Sequence, residues 1–221
     1  MRTVVFDLDG TLADTSGDLL DAANAVFEAR GMGAVLEHPK DAATALRGGR
    51  AMMKLGFERR GVAFTEADID AGYPVLLEAY SQQIAEKTYL YDGARAVVTR
   101  LKAAGYKVAV CTNKPIALAE QLLKHIAFYD VFDAVIGART LPVSKPDPAP
   151  YILAVEQAGG DVGKSLLVGD TATDRKTSTA AGVPSVLVTF SPAGNTVQEL
   201  FPDETIDHFD ALDAVVAKLI G

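Results

Sequence analysis

Residues 3–15 read Thr-Val-Val-Phe-Asp-Leu-Asp-Gly-Thr-Leu-Ala-Asp-Thr. Thr3 to Phe6 is a short apolar, β-branched run with the length and composition of a strand buried on both faces. Asp7 ends it, Asp9 follows one residue later, and Gly10 lets the chain turn sharply. Strands buried on both faces belong to parallel sheets, and in open parallel sheets ligands bind beyond the carboxyl ends of the strands. The stretch therefore predicts a parallel sheet with two carboxylates at its functional edge. Two carboxylates so close repel each other, and both stay ionised only beside positive charge from a metal, a lysine or both.

The remainder of the chain changes character once. From Ser16 to Lys87 no strand pattern occurs. Helices are expected from Ser16 to about Arg30, from Pro39 to Leu46, over 51–60, and from Thr65 to about Lys87. Thr65-Glu66-Ala67-Asp68 reads as a capping box, and Pro74 is expected to kink or split the last helix. A loop, Arg47-Gly48-Gly49-Arg50, separates the second helix from the third. From Thr88 apolar strands alternate with helical segments. Strands are expected at Lys107–Cys111, Phe132–Ile136, Ser165–Val168 and Ser185–Thr189, with a weaker edge strand near Thr205–Ile206. Helices are expected over 94–104, 115–126, 149–158, up to Ala181, and 210–220. Such alternation implies right-handed βαβ units. The predicted fold is α/β: a Rossmann-like, mostly parallel sheet core formed by 1–15 and 88–221, with 16–87 as an inserted all-helical cap.

Composition narrows the partners. A net charge of −8 and the lack of a basic stripe or tail argue against nucleic acid. No run approaches the roughly 20 apolar residues of a membrane span. The one cysteine, Cys111, has no partner for an internal disulfide, and the N-terminus enters a strand with no signal-peptide pattern, so a cytoplasmic location is expected. Cys111 itself reads as strand packing, and His38, His125 and His208 have no metal-ligand spacing. Tyr89, Tyr91, Asp92 and Gly93 mark the return from the helical insert and read as a hinge; Met52, Met53, Tyr73 and Tyr80 read as its core.

Three later strand ends carry the residues that phosphate chemistry uses. Thr112 and Asn113 offer a hydroxyl and backbone N–H groups before a helix, a natural anion site. Lys145 stands in the Pro-rich loop Ser144-Lys145-Pro146-Asp147-Pro148, and Gly169-Asp170-Thr171-Ala172-Thr173-Asp174 sets two more carboxylates after an apolar strand. Taken together, Asp7-x-Asp9-Gly10-Thr11, Thr112-Asn113, Lys145 and Asp170-x-x-x-Asp174 resemble, in order, the four motifs of the haloacid dehalogenase-like phosphohydrolases.

That resemblance implies the following roles. Asp7 is the nucleophile, and Asp9 the general acid and base. Thr112 and Asn113 hold the phosphoryl oxygens. Lys145 neutralises charge between Asp7 and the phosphate. Mg2+ is held by Asp7, Asp170 and the backbone carbonyl of Asp9, with Asp174 supporting from behind. The helical insert matches the cap of that family, which closes over the site and reads the leaving group, and Arg47, Gly48, Gly49 and Arg50 are the candidate reader. Within the family, Thr112-Asn113-Lys114-Pro115, Lys145-Pro146-Asp147-Pro148 and the helical cap most resemble the phosphoglycolate phosphatases. The sequence departs from them at Arg47-Gly48-Gly49, where Gly-Asn-Gly is expected, and at Arg175-Lys176-Thr177-Ser178-Thr179, where apolar residues are usual. The implied activity is hydrolysis of a small phosphorylated metabolite, 2-phosphoglycolate, by a monomer or homodimer. A β-phosphoglucomutase-like isomerase and another small-molecule phosphatase or pyrophosphatase are the alternatives.

Overall fold

A computed structural model describes all 221 residues. Strand β1 is Thr3–Phe6, and the chain then leaves for helices α1 (Ser16–Ala29), α2 (Ala42–Ala45), α3 (Gly49–Arg59) and α4 (Glu66–Gln82). It returns with α5 (Ala94–Ala103), β2 (Lys107–Pro115), α6 (Ile116–His125), β3 (Ala134–Ala138), α7 (Ala149–Gln157) and β4 (Ser165–Gly169). It ends with α8 (Ala172–Ala181), β5 (Ser185–Val188), β6 (Glu204–Ile206) and α9 (Leu212–Ile220). Two compact units result, one of Met1–Ala13 with Leu90–Gly221, the other of Asp14–Tyr89. Where the chain crosses between them, Ala13–Asp14 and Tyr89–Leu90 form a two-stranded sheet. No helix is long and apolar enough to cross a membrane.

The first unit is a six-stranded sheet in the order β3-β2-β1-β4-β5-β6, every neighbouring pair parallel. This order places β1 between β2 and β4, with no exposed edge, which is why Val4, Val5 and Phe6 are wholly buried. Val5, Ala109, Cys111, Ile136 and Leu167 from the strands pack with Tyr151, Ala154 and Val155 of α7 on one face. Cys111 is thus a packing residue, and burial pushes its thiol up to about 12, leaving it neutral and unreactive. Two strands depart from expectation. β2 continues to Pro115 through an irregularity after Cys111, and β3 starts two residues late because Phe132 closes a turn onto Tyr129 and stacks edge-on with Phe128.

The second unit is helical, built around Phe27, Met52, Met53, Phe57 and Tyr80. Phe27 and Phe57 meet edge to face at 5.4 Å. The capping box at Thr65 and Asp68 forms. The expected break at Pro74 does not occur: α4 runs through it, because Pro74 lies on the exposed face while Ile69, Gly72, Leu76 and Tyr80 keep one buried stripe on both sides. The second helix shrinks to Ala42–Ala45. Asp41, which would lie within it, instead turns its carboxylate back to the Glu37 N–H and out to Arg59.

Candidate active site

Parallel register brings the motif residues to one edge of the sheet. Phe6 pairs with Val110 on one side and Val168 on the other. The residues after these three are therefore level: Asp7, then Cys111-Thr112, then Gly169-Asp170. Gly10, at φ +86°, turns the chain directly after Asp9, and the Leu8 carbonyl accepts from the Leu12 and Ala13 N–H groups at 3.0 and 3.1 Å.

Lys145 is the hub. Its buried ammonium donates to Asp7 Oδ1 at 2.8 Å and to Asp174 Oδ1 at 2.7 Å. Asp174 is fully engaged, since its Oδ2 also accepts from the Thr171 hydroxyl at 2.6 Å and from the Thr171 and Asp170 N–H groups, closing a capping box on α8. Gly169 makes room for it; a Cβ there would lie 2.4 Å from Asp174 Cβ and Cγ. Asp170 is held on one side only: Oδ1 accepts from the Thr11 hydroxyl at 3.1 Å, and Oδ2 is buried without a hydrogen-bond partner. Thr11 is a site residue that the sequence reading quoted in its motif without giving it a task.

Electrostatics follow from this burial. Removal from water pushes Asp7 up to about 6, against the pull of the Lys145 ammonium, with Asp174 and Asp9 adding to the rise. Burial raises Asp170 well above the carboxylate range, and the Asp174 and Asp7 charges raise it further. Burial opposes the charge on Lys145, but Asp174 and Asp7 more than offset it, so the ammonium is secure.

A cation fits this arrangement. Oxygens of Asp7, Asp170 and Asp174 lie within 4.8 Å of one another. The four carboxylates Asp7, Asp9, Asp170 and Asp174 outnumber the two ammonium groups, Lys114 and Lys145, that pair with them. A buried carboxylate oxygen without a partner is costly, and the orphaned Oδ2 of Asp170 is the one expected of an atom meant for a metal. With both Asp174 oxygens occupied, Asp7 and Asp170 are the side chains with capacity to coordinate. The donor set is all oxygen, suited to a hard divalent ion.

The remaining motif residues divide between the two units. Thr112 is buried, and its hydroxyl accepts the Lys114 N–H at 3.1 Å. Asn113 is exposed, and its side-chain amide donates to the Lys145 carbonyl at 2.9 Å, tying β2 to the loop that carries the lysine. Asp9 is paired through Oδ1 with Lys114 Nζ at 2.6 Å, a contact the sequence reading did not foresee. Arg47, Gly48, Gly49 and Arg50 belong to the helical unit. Only Arg47 and Gly48 lie outside a helix; Gly49 and Arg50 begin α3 instead of extending a loop. Gly49 is a contact glycine, since a Cβ there would meet Tyr73 at 3.0 Å and Leu76 at 3.1 Å. Arg50 is bound to Asp70 and Glu66, each at 2.6 Å, whereas Arg47 is exposed.

Comparison with known proteins agrees with this site. Residues 4–188 match the family described as haloacid dehalogenase-like hydrolase. A protein of Mesorhizobium japonicum named phosphoglycolate phosphatase is 36% identical over 219 residues, covering 97% of this chain and 94% of its own length. Its namesake in Agrobacterium fabrum is 37% identical, covering 98% and 93%. In fold, the chain is similar to CbbY from Rhodobacter sphaeroides, solved in complex with phosphate, with a TM-score of 0.76, 21% identity and 96% of each chain covered.

Proposed function

The chain belongs to the haloacid dehalogenase-like hydrolases, and from that membership we propose a magnesium-dependent phosphomonoesterase that hydrolyses 2-phosphoglycolate through an aspartyl-phosphate. The observation that carries the chemistry is the buried Asp7–Lys145–Asp174 cluster with the orphaned Asp170 oxygen beside it. The substrate is proposed from the full-length similarity to proteins named phosphoglycolate phosphatase.

In the proposed reaction an oxygen of Asp7 bonds to phosphorus as the bond from phosphorus to the glycolate oxygen breaks. Asp9 gives its proton to that leaving oxygen. It then takes a proton from a water molecule that attacks the same phosphorus, freeing Asp7 and phosphate. Thr112 and the Asn113 N–H bind phosphoryl oxygens. Lys145 offsets the phosphoryl charge and, by holding Asp7 Oδ1, aims the carboxylate. Asp7, Asp170 and the Asp9 carbonyl would hold Mg2+, which when bound supplies charge neutralisation to the phosphoryl group. Arg47 is the proposed reader of the substrate's carboxylate, since Arg50 is already committed to Asp70 and Glu66. The setting proposed is the cytoplasm, where the lone Cys111 stays reduced.

The test is phosphate release from a panel of phosphorylated metabolites in magnesium. Release is expected from 2-phosphoglycolate above hexose phosphates, and without any sugar bisphosphate added. Interconversion of hexose phosphates with no net release would instead establish an isomerase, and preference for another ester would overturn the substrate.

A further inference from the structure

Lys114 is a cation the reaction scheme leaves unused. Its side chain is only 4% exposed, and a lysine is seldom so buried unless it is paired. Its ammonium donates to Asp9 Oδ1 at 2.6 Å, within the α/β unit. The two partners stand on backbone of different stiffness. Lys114 lies on β2, two positions beyond Thr112, and strand alternation buries both while Asn113 between them is exposed. The Lys114 N–H is itself fixed by the Thr112 hydroxyl at 3.1 Å. Asp9 lies in the tight turn after β1, outside the sheet ladder except for one isolated bridge to Ala13. Its carboxylate gets no orientation from a strand and must be oriented by what it touches.

We propose that Lys114 is a positioning residue for proton transfer: by gripping Asp9 Oδ1 it arrests the rotation of the carboxylate that serves the leaving oxygen and then the attacking water. The proposal rests on the acid/base reading of Asp9 given above. Proton exchange needs the two heavy atoms about 2.6–3.2 Å apart. A displacement of about 1 Å costs on the order of a hundredfold in rate. A charged donor suits the task, since its bond to a carboxylate is shorter and about twice as strong as a neutral one. Lys145 cannot take the part, because its ammonium is bound to Asp7 and Asp174.

The experiment compares wild type, Lys114→Met, Asp9→Asn and the double variant on two esters. Glycolate leaves as an alkoxide and needs a proton; dinitrophenolate, released from dinitrophenyl phosphate, does not. Lys114→Met is expected to lower kcat on 2-phosphoglycolate by roughly 10- to 100-fold, with KM little changed. The first-turnover burst of dinitrophenolate should stay within about threefold of wild type, since that step uses no acid. Adding Lys114→Met to Asp9→Asn should bring no further loss, and Lys114→Arg should restore most of kcat. Should the Met variant fail to fold, Lys114→Gln serves in its place, with thermal unfolding as the control. Full activity of Lys114→Met, an equal loss in the burst, or a multiplied loss in the double variant would overturn the proposal. High turnover by Asp9→Asn on 2-phosphoglycolate would overturn the acid/base reading itself, an outcome distinct from Lys114 having no effect.

Discussion

Each acidic side chain at the sheet edge has a different set of partners, and those partners divide the labour. Asp174 is saturated by Lys145, Thr171 and the Asp170 N–H; Asp170 is held at Oδ1 by Thr11 and left open at Oδ2. Removing the Thr11 hydroxyl while keeping its shape should therefore loosen Asp170 without touching Asp7. Thr11→Val is expected to raise the magnesium concentration for half-maximal activity by about 10- to 100-fold, the usual cost of losing a group that orients a metal ligand. Titration of activity against magnesium checks it, and an unchanged midpoint with lower kcat would contradict the assignment. Asp7, Thr112, Lys145, Asp170 and Asp174 were legible in the sequence because each follows an apolar run or sits in a recognisable motif. Lys114 and Thr11 were not. The role of Lys114 depends on β2 continuing in alternation past Cys111, where the residues read as a helix entry, and that of Thr11 on a contact 159 positions away.

At the scale of elements, the core strands were legible to within about two residues, because buried parallel strands are unbroken apolar runs bounded by glycine and polar turns. The helical unit was less so. Pro74 and the Arg47–Arg50 segment carried strong local breaking signals, and tertiary packing overrode both: a buried stripe carries α4 through Pro74, and contact with Tyr73 and Leu76 fixes Gly49 in α3. What fastens α2 to α3 is the ion pair of buried Asp41 with both terminal nitrogens of Arg59, each at 2.6 Å. Arg59 hydrogen bonding, against the cost of burial, holds Asp41 below its ordinary 3.8. A carboxyl lowered by folding stabilises above its unfolded value and loses that stabilisation as pH falls through the folded one. Asp41→Asn should cost about 1.5–3 kcal/mol at neutral pH. The gap in melting temperature between wild type and variant should narrow as pH falls below 3.8. A gap independent of pH down to acid unfolding would remove the ion pair from the stability of this unit.

At the scale of the whole molecule, a chain of net charge −8 must bind a multiply charged anion, so attraction has to be local. Lys114, Lys145 and a divalent ion supply it on the α/β unit. Activity is accordingly expected to vanish in a chelator and return with magnesium. Calcium should inhibit, since it favours a higher coordination number and lets a carboxylate bind through both oxygens, occupying Asp7. Turnover in a chelator, measured as phosphate release, would exclude the metal. The covalent step is tested most directly by mass spectrometry of acid-quenched Asp9→Asn enzyme after a single turnover of dinitrophenyl phosphate in magnesium. Without its proton-transfer group the variant should form the acyl phosphate faster than it loses it. A phosphoryl adduct is expected on the peptide carrying Asp7, and none when Asp7→Asn is added. No adduct together with undiminished phosphate release by the Asp7→Asn enzyme would contradict catalysis through Asp7.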